Sequence, residues 1–149
     1  MKKYIIIMSI IILLSIGYGC NQRTILIEPL PGDASPEVVV KQYLMYREEN
    51  NYDHAKSLLN PQRYNDFEFD NNDRIDSLMI HSIKRVDDVD YDLDDFLPQN
   101  TAKVEVKLNI SYTNNWYRSG EYINSYYLVR NENYSQWLIN DWKLICIDE

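Results

Sequence analysis

The densest chemical feature of the chain is a run of carboxylates: Asp87, Asp88, Asp90, Asp92, Asp94 and Asp95. Hard cations such as calcium take several oxygens from a flexible loop. Counted from Asp88, positions one, three and five of such a loop are acidic. The sixth, however, is Leu93 where the sharp turn needs Gly, and the twelfth is Gln99 where the bidentate ligand needs Glu. The run therefore reads as a solvated connection between strands, with weak binding of a divalent ion as the alternative. His54 and His81 are the two imidazoles, and neither stands in a metal-ligand spacing, so both are expected at the surface. The sequence contains no Gly-x-Ser-x-Gly elbow, no phosphate-binding Gly-rich loop and no Cys-x-x-Cys pair. Cys146 has no His near it in sequence and sits in the apolar run 144–147, the setting of a buried structural thiol. Together these residues supply no catalytic constellation, and neither a metal nor a cofactor is expected.

Binding is the other chemistry that residue types can announce. Nine aromatic residues fall between Tyr112 and Trp142. Most are expected to pack a sheet, where aromatic side chains bury large areas. Trp116 and Tyr117 differ, because they follow Asn114 and Asn115 and precede Ser119 and Gly120 at a hairpin tip, where an aromatic pair has little core to join. An exposed pair there is a candidate contact for a glycan, a peptide or a partner protein.

The elements that must position these residues follow from periodicity and caps. Ser35, Pro36 and Glu37 combine a hydroxyl cap, a proline at the first helical position and an acid near the positive end of the helix dipole. A helix starts there, with Val39, Val40, Tyr43 and Tyr46 at helical spacing, and runs out at residues 48–51. A short helix over 53–59 and a further turn over 62–69 are expected before the turn at Asn71, Asn72 and Asp73. From 102 to 112 every even position is apolar or aromatic and every odd one is polar, which predicts an antiparallel strand with one face on the core and the other wet. A strand through Ile123, Tyr127 and Val129 and a last strand over 137–147 complete the pattern. The last strand changes phase at Asn140 and Asp141, the mark of a bulge. Residues 78–89 read as the first strand, although Ile75, Leu78, Met79, Ile83 and Val86 fit a helical period nearly as well. Helices followed by four strands predict an α+β fold, N-terminal helices packed on a curved antiparallel sheet.

Ahead of this domain lies an address. Lys2 and Lys3 precede a 13-residue apolar run over 4–16, broken only by Ser9 and Ser15, and then come Gly17, Tyr18, Gly19 and Cys20. A bilayer-crossing helix needs about 20 apolar residues, whereas a basic start, a short apolar core and small residues describe a secretory signal. A short uncleaved anchor helix is the alternative. The residues resemble a bacterial lipoprotein signal peptide, in which a small residue precedes a Cys that takes a diacylglyceryl group and becomes the mature N-terminus. Gly19 and Cys20 match that pattern, while Gly17 stands where it usually has Leu. The resemblance implies lipid attachment at Cys20, a domain moored on the extracytoplasmic face of a bacterial membrane, and a division into a signal over 1–19, a tether over 20–34 and a single domain over 35–149. Two or three chains on one residue hold a soluble domain stably at a membrane, which a single chain does not.

The whole chain of 149 residues carries 15 Lys+Arg against 23 Asp+Glu, a formal charge of −8. Without residues 1–19, which hold Lys2, Lys3 and no acid, 13 bases face 23 acids and the charge is −10. That balance argues against a protein held on nucleic acid, whose footprint is a basic face, and it repels anionic lipid, so the domain is expected to hang from its tether instead of lying flat.

The helix start at Ser35, Pro36 and Glu37, the segment 52–59 leading to Pro61, and the pairs of strand ends Tyr127-Leu128-Val129-Arg130 and Trp142-Lys143-Leu144 look like small exported lipoproteins of the nuclear transport factor 2-like superfamily. Membership would imply a cone-shaped sheet whose mouth can hold a ligand. Acid-base enzymes of that superfamily place a carboxylate and a tyrosine inside the cone, while many exported members are binding or accessory modules. The expectation is a non-catalytic binding or accessory domain that contacts the membrane through Cys20 and recognises an envelope protein, a glycan or a small ligand. A small hydrolase or isomerase, and an envelope component with no site, are the rivals.

Overall fold

A computed structural model describes residues 30–66, 74–87, 98–113, 118–130 and 136–147. Helix α1 (Pro36–Glu48) begins after Ser35, whose extended backbone and the following proline start the helix where the sequence predicts, but the Ser35 hydroxyl makes no capping hydrogen bond, so the proline and the backbone set the start without it. Its buried residues Val39, Val40, Tyr43, Leu44 and Tyr46 recur at helical spacing and form one stripe toward the sheet. Asn50, at a positive φ of 56°, turns the chain out of α1. Helix α2 (Tyr52–Ser57) follows and buries Ala55, and a 3-10 turn (Pro61–Asp66) ends the helical part.

Four strands form one antiparallel sheet in the order β1-β2-β3-β4: β1 (Ile75–Val86), β2 (Thr101–Tyr112), β3 (Gly120–Val129) and β4 (Leu138–Cys146). The α+β reading is therefore correct, with helices first and a curved antiparallel sheet after them. The ambiguous segment is strand rather than helix. Its bulge between Ile80 and Ser82 lets Leu78, Ile80 and Ile83 all lean toward the core, and that shift of phase is what imitates a helical period. On β2, Ala102, Val104, Val106, Leu108 and Ile110 are buried as the alternation requires. Along β4 the register passes from Tyr127 opposite Asp141 to Leu128 opposite Ile139, which leaves Asn140 as the extra residue of the expected bulge.

One departure lies on the face of β2 expected to be wet. Thr101 and Lys103 are buried there. Their cross-strand partners Val129 and Tyr127, with Leu138 beyond, are buried too, and the Lys103 ammonium lies 5.8 Å from the Tyr127 ring centre. The long aliphatic stem of lysine lets it join an apolar patch while its charge meets the aromatic face. The first half of β4 is also covered at its edge: Ile139 donates to Leu58 C=O, and Asn60 N–H donates to Ile139 C=O. Asn60 Nδ2 further donates to Asn140 Oδ1 at 2.8 Å, so the end of α2 is pinned to the bulge.

Candidate functional site

Two places in the described residues gather polar side chains that the fold does not need for a plain core. The first is a groove of about 880 Å³ on the helix-free face of the sheet. It lies where β1 begins, β2 ends and β3 begins. Register builds it: Met79 stands opposite Asn109, Asn109 opposite Glu121, and Ser77 opposite Ser111. Because Leu108 and Ile110 point into the core, Asn109 and Ser111 must point into the groove. Arg118 and Ser119 close one end. Ser119 Oγ accepts the Tyr112 backbone N–H at 3.0 Å, and the Tyr122 hydroxyl donates to Arg118 C=O, so two hydrogen bonds tie down the entry to β3. Lys107 hydrogen-bonds the Glu121 carboxylate and lowers its pKa, desolvation opposes the shift, and the charges of Lys107 and His81 add to it.

The second is an interior cluster between α1 and the strands β3 and β4. Arg47 is buried and donates to Tyr43 Oη at 3.0 Å, with its guanidinium 5.8 Å from that ring centre. Tyr43 meets Tyr126 edge to face at 6.0 Å and Trp142 at 5.8 Å. Asn124 Nδ2 donates to Tyr126 Oη at 3.2 Å, while Asn124 Oδ1 is buried and accepts nothing from a described residue. Burial pushes the Tyr126 phenol well above its ordinary pKa. Tyr43 adds to the shift, and the Asn124 hydrogen bond and the Arg47 charge oppose it. A phenol held this way keeps its proton and acts as a donor or acceptor of hydrogen bonds, not as a base at neutral pH.

The residues singled out from sequence are placed unevenly. Cys20, Trp116 and Tyr117 lie outside the described residues, as do Asp88, Asp90, Asp92, Asp94 and Asp95 and the side chain of Cys146; Asp87 is described and exposed. Trp116 and Tyr117 fall in the connection between the paired strands β2 and β3, and the next residue in the chain, Arg118, lines the groove. His54 and His81 are exposed as expected, and His54 Nδ1 shares a hydrogen bond with Asn51 Oδ1 at 2.8 Å. Among the described residues no three His, Cys, Asp or Glu side chains gather as a metal site, and no helix is long and apolar enough to cross a membrane.

Sequence reasoning missed Asn109, Ser111 and Glu121 as a group, though the odd positions of the alternating strand already marked the first two as solvent-facing. It also missed Arg47, because an arginine in a helix reads as surface until its neighbours are known. No curated protein matches the chain. Residues 37–142, from the first turn of α1 to the middle of β4, match a family profile, and on that match the chain belongs to the family described as Domain of unknown function (DUF4829).

Proposed function

We propose that this chain is a lipid-anchored binding or accessory domain of the bacterial cell envelope. Cys20 carries the lipid, and recognition takes place at the groove and at the neighbouring residues Trp116 and Tyr117. The observation that carries the reading is the groove itself. It opens on the face of the sheet away from the helices, it is lined by polar side chains together with Met79 and Ile147, and Arg118 at its end directly follows the aromatic pair in sequence. Sites of this kind, concave and fixed by a rigid sheet, suit binding. The signal-like residues 1–20 support the location on the extracytoplasmic face. The order of helices and strands is consistent with a nuclear transport factor 2-like cone, and we assign the domain to that architecture as part of the same proposal.

The test is a pair of variants. Trp116→Ala combined with Tyr117→Ala is expected to fold as the parent does by circular dichroism and to lose an envelope partner captured by surface crosslinking. Unchanged capture removes those residues from the site. Cys20→Ala is expected to leave the membrane fraction or to accumulate as precursor.

A second reading, a small hydrolase or isomerase working inside the cone, is favoured by one observation: Asn124 Oδ1 is buried without a donor from the described residues, on the amide that hydrogen-bonds the Tyr126 phenol. A substrate donor would satisfy that oxygen. Turnover that Tyr126→Phe abolishes without unfolding would establish this reading over the first.

A further inference from the structure

We infer that the groove on the helix-free face binds a neutral saccharide. This rests on reading the chain as a binding domain and names what that domain recognises.

The backbone of the groove floor is committed. β2 is flanked by β1 and β3 where Asn109 and Ile110 lie, and Glu121 C=O accepts from Ile147 N–H on the β4 side. On β1, the outermost strand of the floor, the Leu78 N–H that would face an added strand is taken by Glu48 Oε1 at 3.0 Å. An extended peptide binds a sheet chiefly through its main chain at an open edge. At that point of the edge the mode is blocked, and recognition on the groove floor runs through side chains.

Those side chains fit a polyol. Ser77 and Ser111 offer hydroxyls that both donate and accept, and Asn109 offers both functions from one planar group. Each sugar hydroxyl is likewise donor and acceptor, and a row of short bifunctional groups meets it without demanding a charge. The charged members balance: Arg118 brings one cation and Glu121 one anion, and Lys107 already engages Glu121. Met79, 61% exposed, and Ile147 give apolar surface on which the C–H face of a sugar ring can rest. The volume of about 880 Å³ is in the range of sites that hold a small oligosaccharide.

The full chain, extracted from membranes in detergent, is titrated with chitotriose, with cellotriose and with a short neutral peptide rich in Ser and Asn, followed by calorimetry and by amide chemical shifts. The expected result is saturable binding of at least one saccharide, with shifts confined to residues 77–79, 109–111 and 118–121. Asn109→Ala, a change at an exposed position, is expected to weaken that binding about tenfold. Lys84→Ala, on the same face but pairing with Glu105 away from the groove, leaves it unchanged. Absence of binding by both sugars, shifts elsewhere on the molecule, or equal affinity of the two variants overturns the assignment. So does binding of the peptide in place of the sugars. Capture of an envelope partner through Trp116 and Tyr117 with no saccharide binding would end this inference and leave the broader reading standing. Loss of membrane attachment would do the reverse.

Discussion

Tyr126 shows most clearly what a single side chain does in this molecule. Its phenol is enclosed by Tyr43, Trp142 and Asn124, and burial raises its pKa above the ordinary 10.0. The folded state therefore holds this proton more tightly than the unfolded chain does. The resulting stability is fully present below pH 10.0 and is lost as pH climbs past that value toward the folded pKa. Urea unfolding followed from neutral to strongly alkaline pH should show a decline beginning near the ordinary tyrosine range, and Tyr126→Phe should flatten part of it. At neutral pH the same substitution removes the oxygen that Asn124 Nδ2 donates to, leaving a buried amide unsatisfied, and should lower stability by about 1–2 kcal/mol in urea titration. Glu121 has the opposite sign. Its lowered pKa adds a contribution that is present at neutral pH and lost as acid protonates it, but solvent screening of this surface pair makes that contribution slight.

The strand β2 argues the same way at the scale of an element. Its even positions meet α1 and the core, and its odd positions carry the groove, so two substitutions one residue apart should behave differently. Leu108→Ala empties fully buried space and is expected to cost about 2–5 kcal/mol, while Asn109→Ala should change thermal stability by no more than about 0.5 kcal/mol. The bulge in β4 supports a third comparison. Asn140→Ala deletes the acceptor of the buried Asn60 amide and should lower the melting temperature, by the equivalent of about 1–3 kcal/mol, without altering the strand content seen by circular dichroism.

These elements are legible in the sequence because each follows a local rule: Pro36 after an extended Ser35 starts a helix, alternation makes β2, and the phase slip at Asn140 makes a bulge. The groove was not readable, since it exists only when Met79, Asn109 and Glu121 are set side by side by registers between strands far apart in sequence. The burial of Lys103 and Arg47 was hidden for a related reason. Each depends on an aromatic ring, Tyr127 or Tyr43, and the Lys103–Tyr127 pair is made only by the register of β2 with β3.

At the scale of the whole molecule, a sheet that presents a groove on its helix-free face follows a leading segment that resembles a lipoprotein signal. A domain of formal charge −10 is repelled by anionic lipid and should stand away from the surface on its tether, with the groove accessible. Vesicle binding by a chain that begins after Cys20 should therefore be weak and should not increase when anionic lipid replaces neutral lipid in a sedimentation assay. The most direct test of the central claim is the intact mass of the protein extracted from membranes. The expected product is a chain shortened by residues 1–19 and increased in mass by acyl groups on Cys20. A full-length, unacylated chain recovered from the soluble fraction of the cell would contradict it.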